Sequence, residues 1–84
     1  MDISVEISKY PLADDYIAPI KDFIDRLNQV AGLKVITNTM STQVFGEYQL
    51  VMATLQDEME RSWQQHGKAI FVCKFIGSDL RPSD

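Results

Sequence analysis

The chain has 84 residues, 45% of them hydrophobic, one cysteine and a formal net charge of −4. That length makes one domain, the hydrophobic content argues for a folded chain rather than a disordered one, and Cys73 alone cannot build an internal disulfide framework. The acidic balance and the scatter of Lys and Arg argue against nucleic acid, no apolar run approaches a membrane span, and the expected location is the cytoplasm.

Residues 2–10 alternate: Ile3, Val5 and Ile7 point one way, and Ser4, Glu6, Ser8 and Tyr10 the other. This is a first strand, ended by Pro11, which lacks a ladder donor. Asp14 and Asp15 are the expected start of a helix, with negative charge at the positive end of its dipole. Its stripe is Ile17, Ile20, Ile24, Leu27 and Ala31, widened by Phe23 and Val30. Pro19 is tolerable only in the first turn, and Gly32 stops the helix.

Leu33 to Met40 reads as a second strand, with Val35, Ile36 and Thr37 as its β-branched residues. Ser41 to Phe45 reads as a short third strand. Gly46 opens a longer helix whose face is Tyr48, Val51, Met52, Leu55, Met59 and Trp63, so Tyr48 and Trp63 are expected in the core. Gly67 ends it. Lys68 to Ile76 is a fourth strand, apolar nearly throughout, which reads as central and covered on both sides. Residues 1–78 thus form the domain, and 79–84 are expected to fray.

The order β-α-β-β-α-β with two right-handed crossovers specifies an α+β, ferredoxin-like fold: a four-stranded antiparallel sheet with both helices on one face. Strands one and four are expected side by side near its middle. The other face is uncovered, and it carries Ser4, Glu6, Ser8 and Tyr10 together with one apolar set of the fourth strand. An apolar patch of that kind is expected to pack against another copy of the chain, or the outer strands to pair between copies. Glu6 and Ser8 then become polar groups in a partly apolar interface, and they need partners.

The inventory for catalysis is poor. His66 is the sole histidine and is expected to serve the end of the second helix. Without it no nucleophile–base set can be assembled, a zinc site lacks ligands, and no Gly-rich phosphate loop is present. The chain is therefore expected to be non-enzymatic, with no cofactor and no metal. Polar residues at Glu6, Ser8 and Asn38–Thr42 mark instead a recognition surface for a small polar ligand.

Two segments, Ile3-Ser4-Val5-Glu6-Ile7-Ser8-Lys9-Tyr10-Pro11-Leu12 and Asn38-Thr39-Met40-Ser41-Thr42-Gln43-Val44-Phe45-Gly46-Glu47, resemble in this order and spacing the YkoF-like, thiamine-binding family of small ferredoxin-like proteins. The resemblance covers about residues 3–77. It implies a non-enzymatic protein that binds thiamine or its hydroxymethylpyrimidine moiety and assembles through its sheets into a dimer or tetramer, in thiamine salvage, uptake or homeostasis. On that implication Glu6 and Asn38 would serve the exocyclic amine, and Ser8, Ser41 or Thr42 the ring nitrogens. Tyr10, Met40 and Phe71 would wall the ring, and Glu47 would face a thiazolium. Each has a structural alternative: an intersubunit Glu6–Lys74 ion pair, a turn role for Asn38, strand and turn roles for Ser8, Ser41 and Thr42, core packing for Met40, and a helix cap for Glu47. The alternative for the whole chain is a homo-oligomeric structural or regulatory module with no thiamine-like ligand.

Overall fold

A computed structural model describes residues 1–83. Its elements are β1 (Asp2–Pro11), α1 (Ile17–Asn28), β2 (Lys34–Thr37), β3 (Thr42–Glu47), α2 (Tyr48–His66) and β4 (Ala69–Ile76). The strands form one antiparallel sheet in the order β2-β3-β1-β4, with both helices on one face: the ferredoxin-like arrangement. Alternation on β1 sends Ile3, Val5 and Ile7 into a core with Val44, Phe23, Leu27, Val51 and Leu55.

β4 pairs with β1 as expected but lies at the edge, not the middle. β3 already occupies one side of β1, so the crossover through α2 can deliver β4 only to the other. Its two apolar faces follow from this position. Phe71 and Cys73 pack against the core, while Ile70, Val72 and Ile76 stand half-exposed on the uncovered face.

α1 begins at Ile17, with Tyr16 as an N-cap that makes no side-chain bond, so Asp14 and Asp15 do not start it. Pro19 supplies the reason. A helix begun at Asp14 would place Pro19 beyond the first turn, where its missing N–H costs a hydrogen bond. α1 also stops at Asn28, short of Ala31, and Gly32 turns the chain with a left-handed φ of 93°.

The second strand is half its expected length, because residues 38–41 form a turn. The third runs on to Glu47 and takes in Gly46, which faces Ile3. A side chain there would collide: a Cβ on Gly46 would lie 2.7 Å from Leu33 Cδ2 and 3.2 Å from the Gly32 carbonyl oxygen. Gly46 is thus a close-approach residue of β3, and Glu47 is the N-cap of α2.

Along α2 the buried residues are Val51, Leu55, Glu58 and Ser62. Tyr48 and Trp63 are partly exposed, contrary to their expected place in the core. Trp63 spans the helix edge instead, with its indole N–H donating to the Ala69 carbonyl at 2.9 Å and its ring edge-on to Phe71. Glu58 and Ser62 can be inward because cations meet them. Arg26 Nε donates to both Glu58 oxygens at 3.0 and 2.6 Å, and Lys9 Nζ donates to Ser62 Oγ.

Residues 79–83 form no helix or strand, yet the segment returns to β1. Ser4 Oγ donates to the Ser78 carbonyl and accepts from Leu80 N–H, both at 2.8 Å. This covers Ser4 and the neighbouring Phe45 on the otherwise open face.

Candidate functional site

β1 is longer than the strand beside it. The β1–β3 ladder ends at Ile7 opposite Thr42, while β1 continues to Pro11 with only β4 as a neighbour. α1 crosses above this projecting end, and the turn between β2 and β3 stands beside it. The result is a cleft of about 250 Å3. Its walls are Ile7 to Tyr10 of β1, Ile20, Phe23 and Ile24 of α1, and Thr37 to Thr42 of the hairpin.

The hairpin is held by Asn38. Its Oδ1 accepts from the N–H groups of Met40 and Ser41, both at 2.9 Å, and its own N–H donates to the Ser41 carbonyl at 3.0 Å. An Asx turn of this kind needs no left-handed residue, and none of the described non-glycine residues adopts a left-handed conformation. The Asn38 side-chain oxygen is therefore spent on the turn, and its amide nitrogen is what remains for a ligand.

Six of the residues singled out in the sequence converge on this cleft: Ser8, Tyr10, Asn38, Met40, Ser41 and Thr42. Thr42 is buried, its hydroxyl 3.3 Å from that of Thr37. Met40 and Tyr10 are exposed at the mouth. Glu6 sits one step down the open face and reaches the site through Ser41, whose hydroxyl donates to it at 3.1 Å. Its ion pair with Lys74, 3.5 Å across the β1–β4 ladder, lies within one chain.

Glu47 and Phe71 lie elsewhere. Glu47 pairs with Asp2 at the far end of β3, roughly 17 Å from Thr42 at 3.4 Å per residue. It accepts from Leu50 N–H at 3.1 Å, and hydrogen bonds from the Gln49 and Leu50 amides, chiefly the former, hold its carboxyl below the usual range. Phe71 packs under the sheet against Phe23, with ring centroids 5.1 Å apart.

Sequence reasoning missed Lys9. Its ammonium lies 5.5 and 5.6 Å from the rings of Phe23 and Phe71 and donates to the Pro19 carbonyl at 2.8 Å. Burial lowers its pKa, and the nearby charge of Asp22 opposes this. Asp22 Oδ2 is in turn 3.2 Å from His66 Nε2, so His66, in the last turn of α2, meets α1. The signal for Lys9 was present: it is a lysine at the next inward position after Ile3, Val5 and Ile7.

Among the described residues no group of three or more His, Cys, Asp or Glu could hold a metal ion, and no helix is long and apolar enough to cross a membrane. Cys73 is half-buried, and burial pushes its thiol pKa up. The cleft therefore offers hydrogen-bonding groups, apolar walls and one cation.

No family model matches the chain, and no curated protein matches it significantly by sequence. Solved structures do match. Protein SP2199 of Streptococcus pneumoniae superposes with a TM-score of 0.85 at 21% identity, covering 95% of this chain and 90% of its own. A Thermotoga maritima protein, provisionally named for thiamine biosynthesis or salvage, gives 0.80 at 18% identity over 96% and 85%. A Bacillus cereus domain of unknown function gives 0.72 at 14% identity over 100% and 83%. The likeness is one of fold. It spans nearly the whole chain, and at these identities it carries no function with it.

Proposed function

We propose that the chain binds a small flat heterocycle, thiamine or its hydroxymethylpyrimidine moiety, without transforming it. The observation that carries this reading is the convergence of Ser8, Tyr10 and the Asn38–Thr42 turn on one cleft walled by Ile20, Phe23 and Ile24. Its volume of about 250 Å3 is somewhat below the usual range for drug-sized ligands and suits a single ring, with the rest of a larger molecule directed past Met40. The Asn38 amide and the Ser8 hydroxyl provide hydrogen bonds, and Glu6 stands behind Ser41 as a carboxylate for an amine. The sequence resemblance and the thiamine-related name of one structural neighbour support the same ligand class.

Isothermal titration with thiamine and, separately, with hydroxymethylpyrimidine tests the proposal. Saturable binding at up to one ligand per chain is the expected result. Glu6→Ala and Asn38→Ala should each weaken binding, and wild-type affinity in both variants would refute the site.

The uncovered face favours a companion reading, that copies pack sheet to sheet. Tyr10, Ile70, Val72 and Ile76 lie there half-exposed, about the charged pair Glu6 and Lys74. Sedimentation should then show a dimer or tetramer that Val72→Lys dissociates. A folded monomer with no affinity for either ligand would remove both readings.

A further inference from the structure

Strand β1 turns its main-chain groups alternately to its two neighbours, and two hydrogen bonds at its ends show which residues face which way. Tyr48 N–H donates to the Met1 carbonyl at 2.8 Å on the β3 side, and Leu12 N–H donates to the Lys68 carbonyl at 3.0 Å on the β4 side. Neither ladder changes register, so odd-numbered residues of β1 face β3 and even-numbered ones face β4. The β3 ladder stops at Ile7. In the same register Lys9 would next meet Met40, which the turn has carried out into solvent, 84% exposed.

The N–H and C=O of Lys9 consequently have no main-chain partner on that side, where the cleft lies. The following position with this orientation is Pro11, which has no N–H at all. Proline in a strand belongs where its missing donor would have no ladder to join, so the residue choice agrees with the geometry. The projecting edge offers one donor and one acceptor side by side, then a lone carbonyl. That is too little for an added peptide strand, which draws on a run of such pairs.

We propose that this edge reads the ligand through its main chain. The ring lies in the plane of the sheet, in the place β3 has left, with its exocyclic amine donating to the Lys9 carbonyl and its adjacent ring nitrogen accepting from the Lys9 N–H. Ile20, Phe23 and Ile24 cover its helix side, and Ser8 and Tyr10 its open side. An aminopyrimidine carries such a donor–acceptor edge, and a ring without the amine does not. The inference rests on the reading that the cleft takes a flat heterocycle; it gives the ring's donor–acceptor edge to the backbone and leaves Glu6 and Asn38 the second amine hydrogen and the remaining ring nitrogen.

Lys9→Met and Lys9→Pro both lose the ammonium, but only the proline loses the N–H, and that N–H joins no ladder. In titrations with hydroxymethylpyrimidine, Lys9→Pro should bind about tenfold more weakly than Lys9→Met. In wild-type protein, saturation should shift the Lys9 amide resonance and slow its hydrogen exchange, while Ser8 and Tyr10, bonded to β4, change little. The wild-type amide measurement decides the matter even if Lys9→Pro does not fold. Binding with an unmoved and unprotected Lys9 amide overturns this inference and leaves the proposed function standing. Absence of any binding by folded wild-type protein overturns both.

Discussion

Ser4→Ala is the sharpest perturbation of the fold. Ser4 is 4% exposed, and its hydroxyl both donates to the Ser78 carbonyl and accepts from the Leu80 amide. Alanine removes both bonds, at about 1 kcal/mol net each, so the loss should total about 2 kcal/mol. In a domain this size that lowers Tm by on the order of 10 °C. Urea denaturation should show the midpoint falling with little change in slope, and limited proteolysis should cut the released segment after Gly77 sooner. The same substitution in a chain ending at Gly77 isolates the mechanism. There the hydroxyl has lost its partners, and Ser4→Ala should cost almost nothing. An equal cost in the full-length and shortened chains would show that Ser4 acts through something other than the returning segment.

Gly46→Ala drives a methyl against Leu33 and the Gly32 carbonyl and should destabilise by about 1–3 kcal/mol in the same urea assay. Lys9 gives a pH signature. Its folded pKa is lowered below 10.5 by burial, so between that lowered value and 10.5 the native state holds fewer protons there than the unfolded chain does. Stability in that window should rise with pH relative to Lys9→Met, and parallel curves for the two proteins would contradict the burial. Glu47 acts with the same sign in the acid range. Its folded pKa is lowered below 4.5 by the Gln49 and Leu50 amides, so its contribution is present above 4.5 and lost as pH falls through the folded value. Glu47→Gln should lose less stability than wild type on acidification, followed by thermal melts from pH 6 downward.

The sequence by itself determined the element order, the two faces of β1 and hence the ferredoxin-like plan, because these rest on local periodicity and on breakers such as Gly67. It also marked most of the cleft. Polar residues at Ser8, Tyr10 and 38–42 stood out against an otherwise apolar pattern, and register brings them together. Only the tertiary structure decided the rest. β4 became an edge strand because β3 had taken the other side of β1, a competition between segments distant in sequence. Gly46 belongs to β3 because it pairs with Ile3, and Leu33 and Gly32 leave no room there for a side chain. Glu47, next in sequence to the turn-and-strand motif, lies at the opposite end of the sheet because an extended chain covers distance quickly. Lys9, one cation among eight in the sequence, acquired its place when the ladder beside it ended two residues early. Which main-chain groups remain unpaired depends on where two strands of unequal length stop, and no single segment carries that information.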